Sequence, residues 1–187
     1  MHCPISAEQA ERLRQARRHL ARARMHVRRL AWMARDPSRL DAQLPLLSAA
    51  GFARSLERFQ SIRLPEEAAT LLILLPDAPE LSLRRQIALL LLESTRNCDT
   101  LGYANGAFLV LLKGANESGA HAAGERLRRQ IRKLAARNGA LMRVDVHHLP
   151  ITPRLRVAEV MDFALRLAAS IDGNAMPAAH RHAATAG

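Results

Sequence analysis

The residues best suited to chemistry lie in one short segment near the middle of the chain. Arg96 and Asp99 are separated by two residues and precede the segment 102–112, in which a polar turn lies between two apolar runs. The planar guanidinium of arginine can donate two parallel hydrogen bonds to a phosphate, and a carboxylate can accept hydrogen bonds from N–H groups. The pair can therefore bind a ligand that presents an anionic oxygen to the arginine and an N–H group to the aspartate. The structural alternative is an arginine at a helix end paired with an aspartate that caps the following loop.

Hydroxyl and thiol groups form no pattern typical of an active site. Ser48, Ser55 and Ser61 have no nearby histidine and aspartate arranged as a base and its orienting partner. The two cysteines, Cys3 and Cys98, supply neither a disulfide framework nor a metal-binding motif. The sequence therefore predicts no catalytic residue of this kind.

The histidines do not predict a metal site either. His147 and His148 are adjacent near the end of a predicted strand, so their side chains are expected on opposite faces of a sheet, where they cannot share a metal. His180 and His182 lie in a C-terminal segment without hydrophobic periodicity, and a solvated tail is the preferred interpretation over weak metal binding. We expect no bound metal and no cofactor.

Composition limits the possible classes of protein. The chain has 187 residues, of which 49% are hydrophobic and 24% charged, as expected for one globular core with an extension. A net charge of +11 favours an anionic partner: nucleic acid, a nucleotide, an acidic protein surface or anionic lipid. Nearly all of this charge is arginine, which can reflect either a GC-rich genome or phosphate binding. With two cysteines and no apolar segment of membrane-spanning length, a cytoplasmic location is expected.

The N-terminal segment, residues 1–36, is predicted to form one long arginine-rich helix. Ser6 and Gln9 form a capping box, and no glycine or proline follows until Pro37. Apolar residues recur with the a/d spacing of a coiled coil at Leu13, Ala16, Leu20, Ala23, Val27, Leu30 and Ala34. This seam predicts a homodimer through the helix. Packing of the helix on its own domain is the alternative.

The remainder divides into a domain of residues 37–174 and a flexible tail, 175–187. An Asn105-Gly106 pair between apolar runs predicts a hairpin, because both residues tolerate positive φ angles. Hydrophobic patterns predict helices over residues 48–60, 81–95, 119–137 and 157–171, and strands over 71–75 and 141–147. This order of elements predicts an α/β sandwich with helices on both faces of a central sheet.

Several of these segments resemble, in order, the motifs of GGDEF domains, the diguanylate cyclase family. The family's hairpin, read as Arg-Tyr-Gly-Gly-Asp-Glu-Phe, follows an Arg-x-x-Asp motif, as the hairpin here follows Arg96 and Asp99. The segment 41–52 keeps the first, sixth and last residues of Asp-x-Leu-Thr-Gly-Leu-x-Asn-Arg-Arg-x-Phe, and 164–169 with Asn174 resembles the family's C-terminal motif. The resemblance covers almost everything after residue 40 and implies a GGDEF-like sandwich with a mostly antiparallel sheet.

The chain departs from the family where cyclases do their chemistry. Leu75 stands where the family has a metal-binding aspartate, and Asp77 follows two residues later. The family's Phe-Lys-x-x-Asn-Asp segment, which holds GTP, is almost entirely missing. The hairpin turn, Ala104 to Ala107, carries no carboxylate. Because phosphoryl transfer depends on metal ions that neutralise developing charge, we expect no cyclase activity.

What the resemblance leaves is the family's inhibitory, product-binding site. Arg96 and Asp99 match its primary motif, and Arg126 matches a further arginine on the next helix. The implied ligand is cyclic di-GMP: arginine can clamp a phosphate or the O6/N7 edge of guanine, and a carboxylate can accept from guanine N1 and N2. The span from Asp99 to Phe108 is one residue shorter than in the family.

Three functions are therefore considered. The first is a cyclic di-GMP receptor that passes ligand occupancy to an unidentified effector protein, with the control of exopolysaccharide, motility and biofilms that the resemblance implies. The second is a GGDEF-like scaffold that has lost every ligand and serves protein–protein interaction and dimerisation. The third, nucleic-acid binding by the arginine-rich helices, ranks last because the resemblance offers no route into a groove.

Overall fold

A four-stranded antiparallel sheet with helices on both faces forms the centre of the molecule, and the expected α/β sandwich is confirmed. The computed structural model describes residues 6–34, 36–64 and 66–174. The helices are α1 (Ala7–Ala34), α2 (Ala49–Ile62), α3 (Leu81–Ser94), α4 (Glu117–Arg137) and α5 (Val157–Asn174), with a 3₁₀ turn at Pro37–Arg39. The strands are β1 (Ala69–Pro76), β2 (Thr100–Ala104), β3 (Ala107–Lys113) and β4 (Val144–Pro150), in the order β2-β3-β1-β4.

Strand β1 lies inside the sheet because all of its side chains are apolar or small. Its eight residues are all buried, and β3 and β4 pair with it on either side. The prediction for β4, residues 141–147, begins three residues too early. The register sets Val144 opposite Pro76, the last residue of β1, so residues 141–143 have no strand to pair with.

Side-chain alternation along the strands builds two apolar layers. Leu72, Leu74, Phe108 and Val110 face α3 and α4, and the intervening residues of the same strands face α2 and α5. Burial on both faces explains why the strands appear in the sequence as continuous apolar runs.

The hairpin between β2 and β3 turns at the predicted residues. Asn105 and Gly106 have φ angles of 46° and 88°, and Ala104 pairs with Ala107 across the turn. Positive φ at both central residues is typical of the two-residue turns that match strand twist. The turn therefore fixes the register of the whole hairpin, including the residues at its far end.

Helix α1 begins with the predicted capping box. The Ser6 N–H donates to Gln9 Oε1 at 3.0 Å, and the Gln9 N–H donates to Ser6 Oγ at 3.2 Å. At the described seam positions the apolar side chains face solvent: Leu13 is 47% exposed, Leu20 52% and Val27 66%. The seam is thus open to a second helix, and dimerisation through it remains a prediction. The tail, with His180 and His182, lies outside the described residues.

Helix α4 packs closely on β4 at His148. A Cβ atom at Gly124 would lie 2.7 Å from His148 Nε2, so a larger residue there would displace the imidazole. His148 Nε2 is buried without a hydrogen-bond partner among the described residues. Burial, and secondarily the nearby His121, lowers the pKa of His148 below its usual value of 6.5, and Glu125 opposes the shift. His147 is on the opposite face of the strand, as expected.

We expect His148 to make folding stability depend on pH. Because its pKa is lower in the folded than in the unfolded state, the unfolded chain takes up the proton first as pH falls below 6.5. The contribution of His148 to the free energy of unfolding is complete above pH 6.5 and is lost as pH falls towards the pKa of the folded state. A His148→Gln variant should lose less stability than the wild type over this range in urea titrations. The control His19→Gln, at an exposed position, should retain the wild-type profile. Identical profiles for the His148→Gln variant and the wild type would contradict this account.

Candidate ligand-binding site

The Arg96–Asp99 turn connects the end of α3 to the start of β2, and a buried carboxylate holds it in place. The Asp99 side chain is 5% exposed. Its Oδ2 accepts the Arg96 N–H at 2.8 Å, and its Oδ1 accepts the Lys113 N–H at 3.3 Å. The first bond closes the turn, and the second fastens it to the last residue of β3.

Two arginine side chains project beside this turn. Arg96 is exposed on the turn, and Arg126 is exposed on α4, with its Nη2 donating to the Ser94 carbonyl at 3.4 Å. Together with Asp99 and Lys113 they line a concavity of about 170 Å³ whose remaining wall includes the small residues of α4. The structure therefore brings the predicted residues Arg96, Asp99 and Arg126 together around one surface depression.

Lys113 is a member of this group that sequence reasoning missed. It is the last residue of β3, and the register of the hairpin brings it beside Asp99. If the strands pair outward from the Asn105-Gly106 turn, Lys113 falls opposite Cys98, the residue before Asp99. That pairing was the signal available in the sequence.

The arrangement favours binding of an anion at the surface. Arg96, Arg126 and Lys113 contribute positive charge, while the carboxylate of Asp99 is buried behind them and bonded to the main chain. Pockets that enclose drug-sized ligands are typically about 300–1,000 Å³, so this depression can hold a phosphate or the edge of a base and not a whole dinucleotide. Asp99 has the capping role that the sequence left open, and its direct contact with a ligand remains a prediction.

A larger cavity, of about 630 Å³, lies at the end of β1 beside the hairpin turn. Its wall includes Leu75, which is 4% exposed, and the carboxylates of Asp41 and Asp77. Asp41 Oδ1 accepts the N–H groups of Gln43 and Leu44, so this carboxylate caps its own turn. Magnesium requires several oxygen ligands in near-octahedral geometry. The leucine in the wall does not fit a magnesium-dependent phosphoryl-transfer site.

A search of the described residues for three or more His, Cys, Asp or Glu side chains placed to hold a metal ion found no such group. In the same part of the chain, no helix combines the length and the apolar character needed to cross a bilayer.

Solved GGDEF structures share this fold. Diguanylate cyclase SiaD of Pseudomonas aeruginosa, solved with its activator SiaC, is 21% identical, with a TM-score of 0.61 over 88% of this chain and 70% of that chain. The coiled coil and GGDEF domain of DgcB from Caulobacter crescentus, solved with c-di-GMP, is 17% identical, with a TM-score of 0.60 over 89% of this chain and 95% of that chain.

The GGDEF domain of FimX from Pseudomonas aeruginosa is 21% identical, with a TM-score of 0.56 over 73% of this chain and 95% of that chain. No protein-family model matches the chain, and no curated protein matches it. At these identities the likeness establishes the fold, and the chain is a protein of GGDEF-like fold.

Replacing Asp99 with alanine should destabilise the protein. The change leaves the main-chain N–H groups of Arg96 and Lys113 without their acceptor, which typically costs about 1–3 kcal/mol. Equilibrium unfolding in urea measures the loss. Asp77→Ala, at an exposed position, is the control and should change stability by about 0.5 kcal/mol or less. Equal stabilities for the two variants would show that Asp99 does not hold the turn.

Proposed function

We propose that this protein is a catalytically inactive receptor for cyclic di-GMP, with Arg96 and Arg126 as its principal ligand-binding residues. The observation that carries the proposal is their position on one surface depression, beside a turn that Asp99 fixes from behind. As the family resemblance implies, Asp99 also accepts a hydrogen bond from guanine in this proposal. The GGDEF-like fold provides the setting in which such a site is expected.

The chemistry of the ligand fits the depression. Cyclic di-GMP presents two phosphates and two guanine edges, and a guanidinium can engage either of these with two parallel hydrogen bonds. Because the depression is small, one such group enters it and the remainder of the ligand lies on the surface. Such dinucleotides often bind as stacked pairs, and an arginine can stack on an exposed base.

Two similar structures support the choice of ligand. Both DgcB structures, one with and one without its coiled coil, were solved in complex with c-di-GMP. Those complexes describe DgcB, at 17% and 16% identity to this chain. They make cyclic di-GMP the first ligand to test.

The proposal that the protein is inactive rests on the cavity at the end of β1. Leu75 occupies its wall, and the hairpin turn contributes Asn105 and Gly106, which carry no carboxylate. Asp41 and Asp77 also line the cavity, but Asp41 Oδ1 accepts two main-chain N–H groups. We infer that too few acidic ligands remain to position metal ions on a transferring phosphate.

Incubation of the full chain with GTP and Mg²⁺ should therefore leave the nucleotide intact. Chromatography of the mixture measures any cyclic di-GMP or pyrophosphate formed. Formation of cyclic di-GMP above the level of a protein-free control would contradict the proposed inactivity.

As proposed, the receptor is a cytoplasmic homodimer that acts on an effector protein. The exposed apolar residues of α1 supply the dimerising surface, and a coiled coil precedes the GGDEF domain in the DgcB structure as well. That SiaD was solved with an activator protein supports a protein partner for a GGDEF domain. Biofilm and motility control follow from the resemblance alone.

A ligand-free scaffold is the second candidate, and one observation favours it. The carboxylate of Asp99 is committed to main-chain N–H groups, so the Arg-x-x-Asp motif has a structural explanation that needs no ligand. In this case the open face of α1 is the functional surface.

Calorimetry with cyclic di-GMP separates the two candidates. We expect micromolar binding to the wild type and a loss of affinity of about tenfold or more in Arg96→Ala and in Arg126→Ala, since each removes a charged hydrogen-bond donor. Arg132→Ala, exposed on α4 outside the depression, is the matched control and should bind as the wild type does.

Two results would contradict the receptor proposal. The absence of heat at high ligand concentration would favour the scaffold. Binding that is unaffected by either substitution and falls steeply with salt would indicate a general attraction for polyanions instead.

A further inference from the structure

The C-terminal half of α2 presents positive charge and apolar surface in one row. Arg54, Arg58 and Ile62 are spaced by four residues, so they lie on the same face of the helix. Both arginines are exposed, and neither forms an ion pair within the described part of the chain. Ile62 is 72% exposed and Leu64, just beyond the helix, is 62% exposed.

Negative charge follows directly in the connection to β1. Glu66 is exposed and Glu67 half-buried, and neither carboxylate has an ion-pair partner among the described residues. The Glu67 N–H donates to the Leu64 carbonyl at 3.0 Å, so the connection is a turn that carries the two acidic side chains close to the apolar pair.

The cationic row also borders a cleft at the same end of the sheet. Arg54, Arg58 and Ile62 line a cleft of about 420 Å³ with Phe59, Leu101 and Lys113. The acidic turn reaches the same end, because the Gly114 N–H, next to Lys113, donates to the Ala68 carbonyl at 2.8 Å. Basic, apolar and acidic groups therefore adjoin one another on one surface.

We propose that this surface, defined by Arg54, Arg58, Ile62, Leu64, Glu66 and Glu67, is a second self-association interface and that its occupant is a second copy of this chain. In a two-fold interface each copy presents the same patch, so a patch with opposite charges on either side of an apolar centre is complementary to itself. An axis near Ile62 and Leu64 places the acidic turn of one copy against the arginine row and cleft of the other. The contact covers the exposed apolar pair and neutralises both sets of charges.

This interface is distinct from the α1 seam and adjoins the proposed ligand-binding site. Lys113 and Asp99 line both the cleft and the depression between Arg96 and Arg126. In a dimer joined by α1, the second interface connects the two GGDEF-like domains or links one dimer to another. Its existence does not depend on cyclic di-GMP binding.

The test measures self-association of the full chain by analytical ultracentrifugation without any dinucleotide. Leu13→Arg with Leu20→Arg first breaks the α1 seam, and this background should still form dimers as concentration rises. Adding Arg54→Glu with Arg58→Glu should raise the dissociation constant about tenfold or more, because carboxylates then face carboxylates. Glu66→Arg with Glu67→Arg should do the same, and all four changes together should restore association.

Restored association in the fourfold variant would show that the charge reversals act on the interface. Two further substitutions would not restore association if the first two had misfolded the chain. Arg129→Glu with Arg132→Glu, exposed on α4, is the charge-matched control and should leave association unchanged. The inference is overturned if the background does not self-associate, if reversal of the arginine pair has no effect, or if the fourfold exchange fails to restore association. The last result, with both pairs sensitive, would show that the arginine row and the acidic turn do not face each other across the interface. Calorimetry with cyclic di-GMP can succeed or fail independently of each of these outcomes.

Discussion

The arrangement of the candidate site depends on one buried carboxylate. Asp99 accepts the N–H groups of Arg96 and Lys113, and these two bonds join the turn after α3 to the last residue of β3. Without them the turn that carries Arg96 loses its side-chain link to β3. With them, the main chain at Arg96 is fixed beside the depression that Arg126 of α4 also lines.

The hairpin register provides the second constraint. Positive φ at Asn105 and Gly106 closes a two-residue turn, and every pairing from there to the far end of the hairpin follows. The near end of the hairpin borders the cavity beside Leu75, and the far end borders the depression with Arg96. The hairpin therefore lies between the cavity at the end of β1 and the depression lined by Arg96 and Arg126.

Most of the fold could be predicted from the sequence because its signals are local. The capping box at Ser6, the Asn105-Gly106 turn and the continuous apolar run of β1 each determine their element from neighbouring residues. The start of β4 could not be placed correctly, since it depends on where β1 ends and on the register between the two strands.

The site was predicted less completely, for the same reason. Arg96, Asp99 and Arg126 could be proposed from motif positions, but the role of Lys113 depends on strand pairing across the hairpin. That the Asp99 carboxylate faces the main chain depends on the packing of the turn against β3. The sequence could not show that the arginine row of α2 and the acidic turn after it share one surface. Their common position near Lys113 depends on how the chain folds at that end of the sheet.

A crystal structure of the full chain bound to cyclic di-GMP tests the central claim most directly. The account predicts that the guanidinium groups of Arg96 and Arg126 both contact one ligand, through a phosphate or a guanine edge, while Asp99 keeps its bonds to the turn. A ligand seated in the cavity beside Leu75, or bound without contact to either arginine, would contradict it.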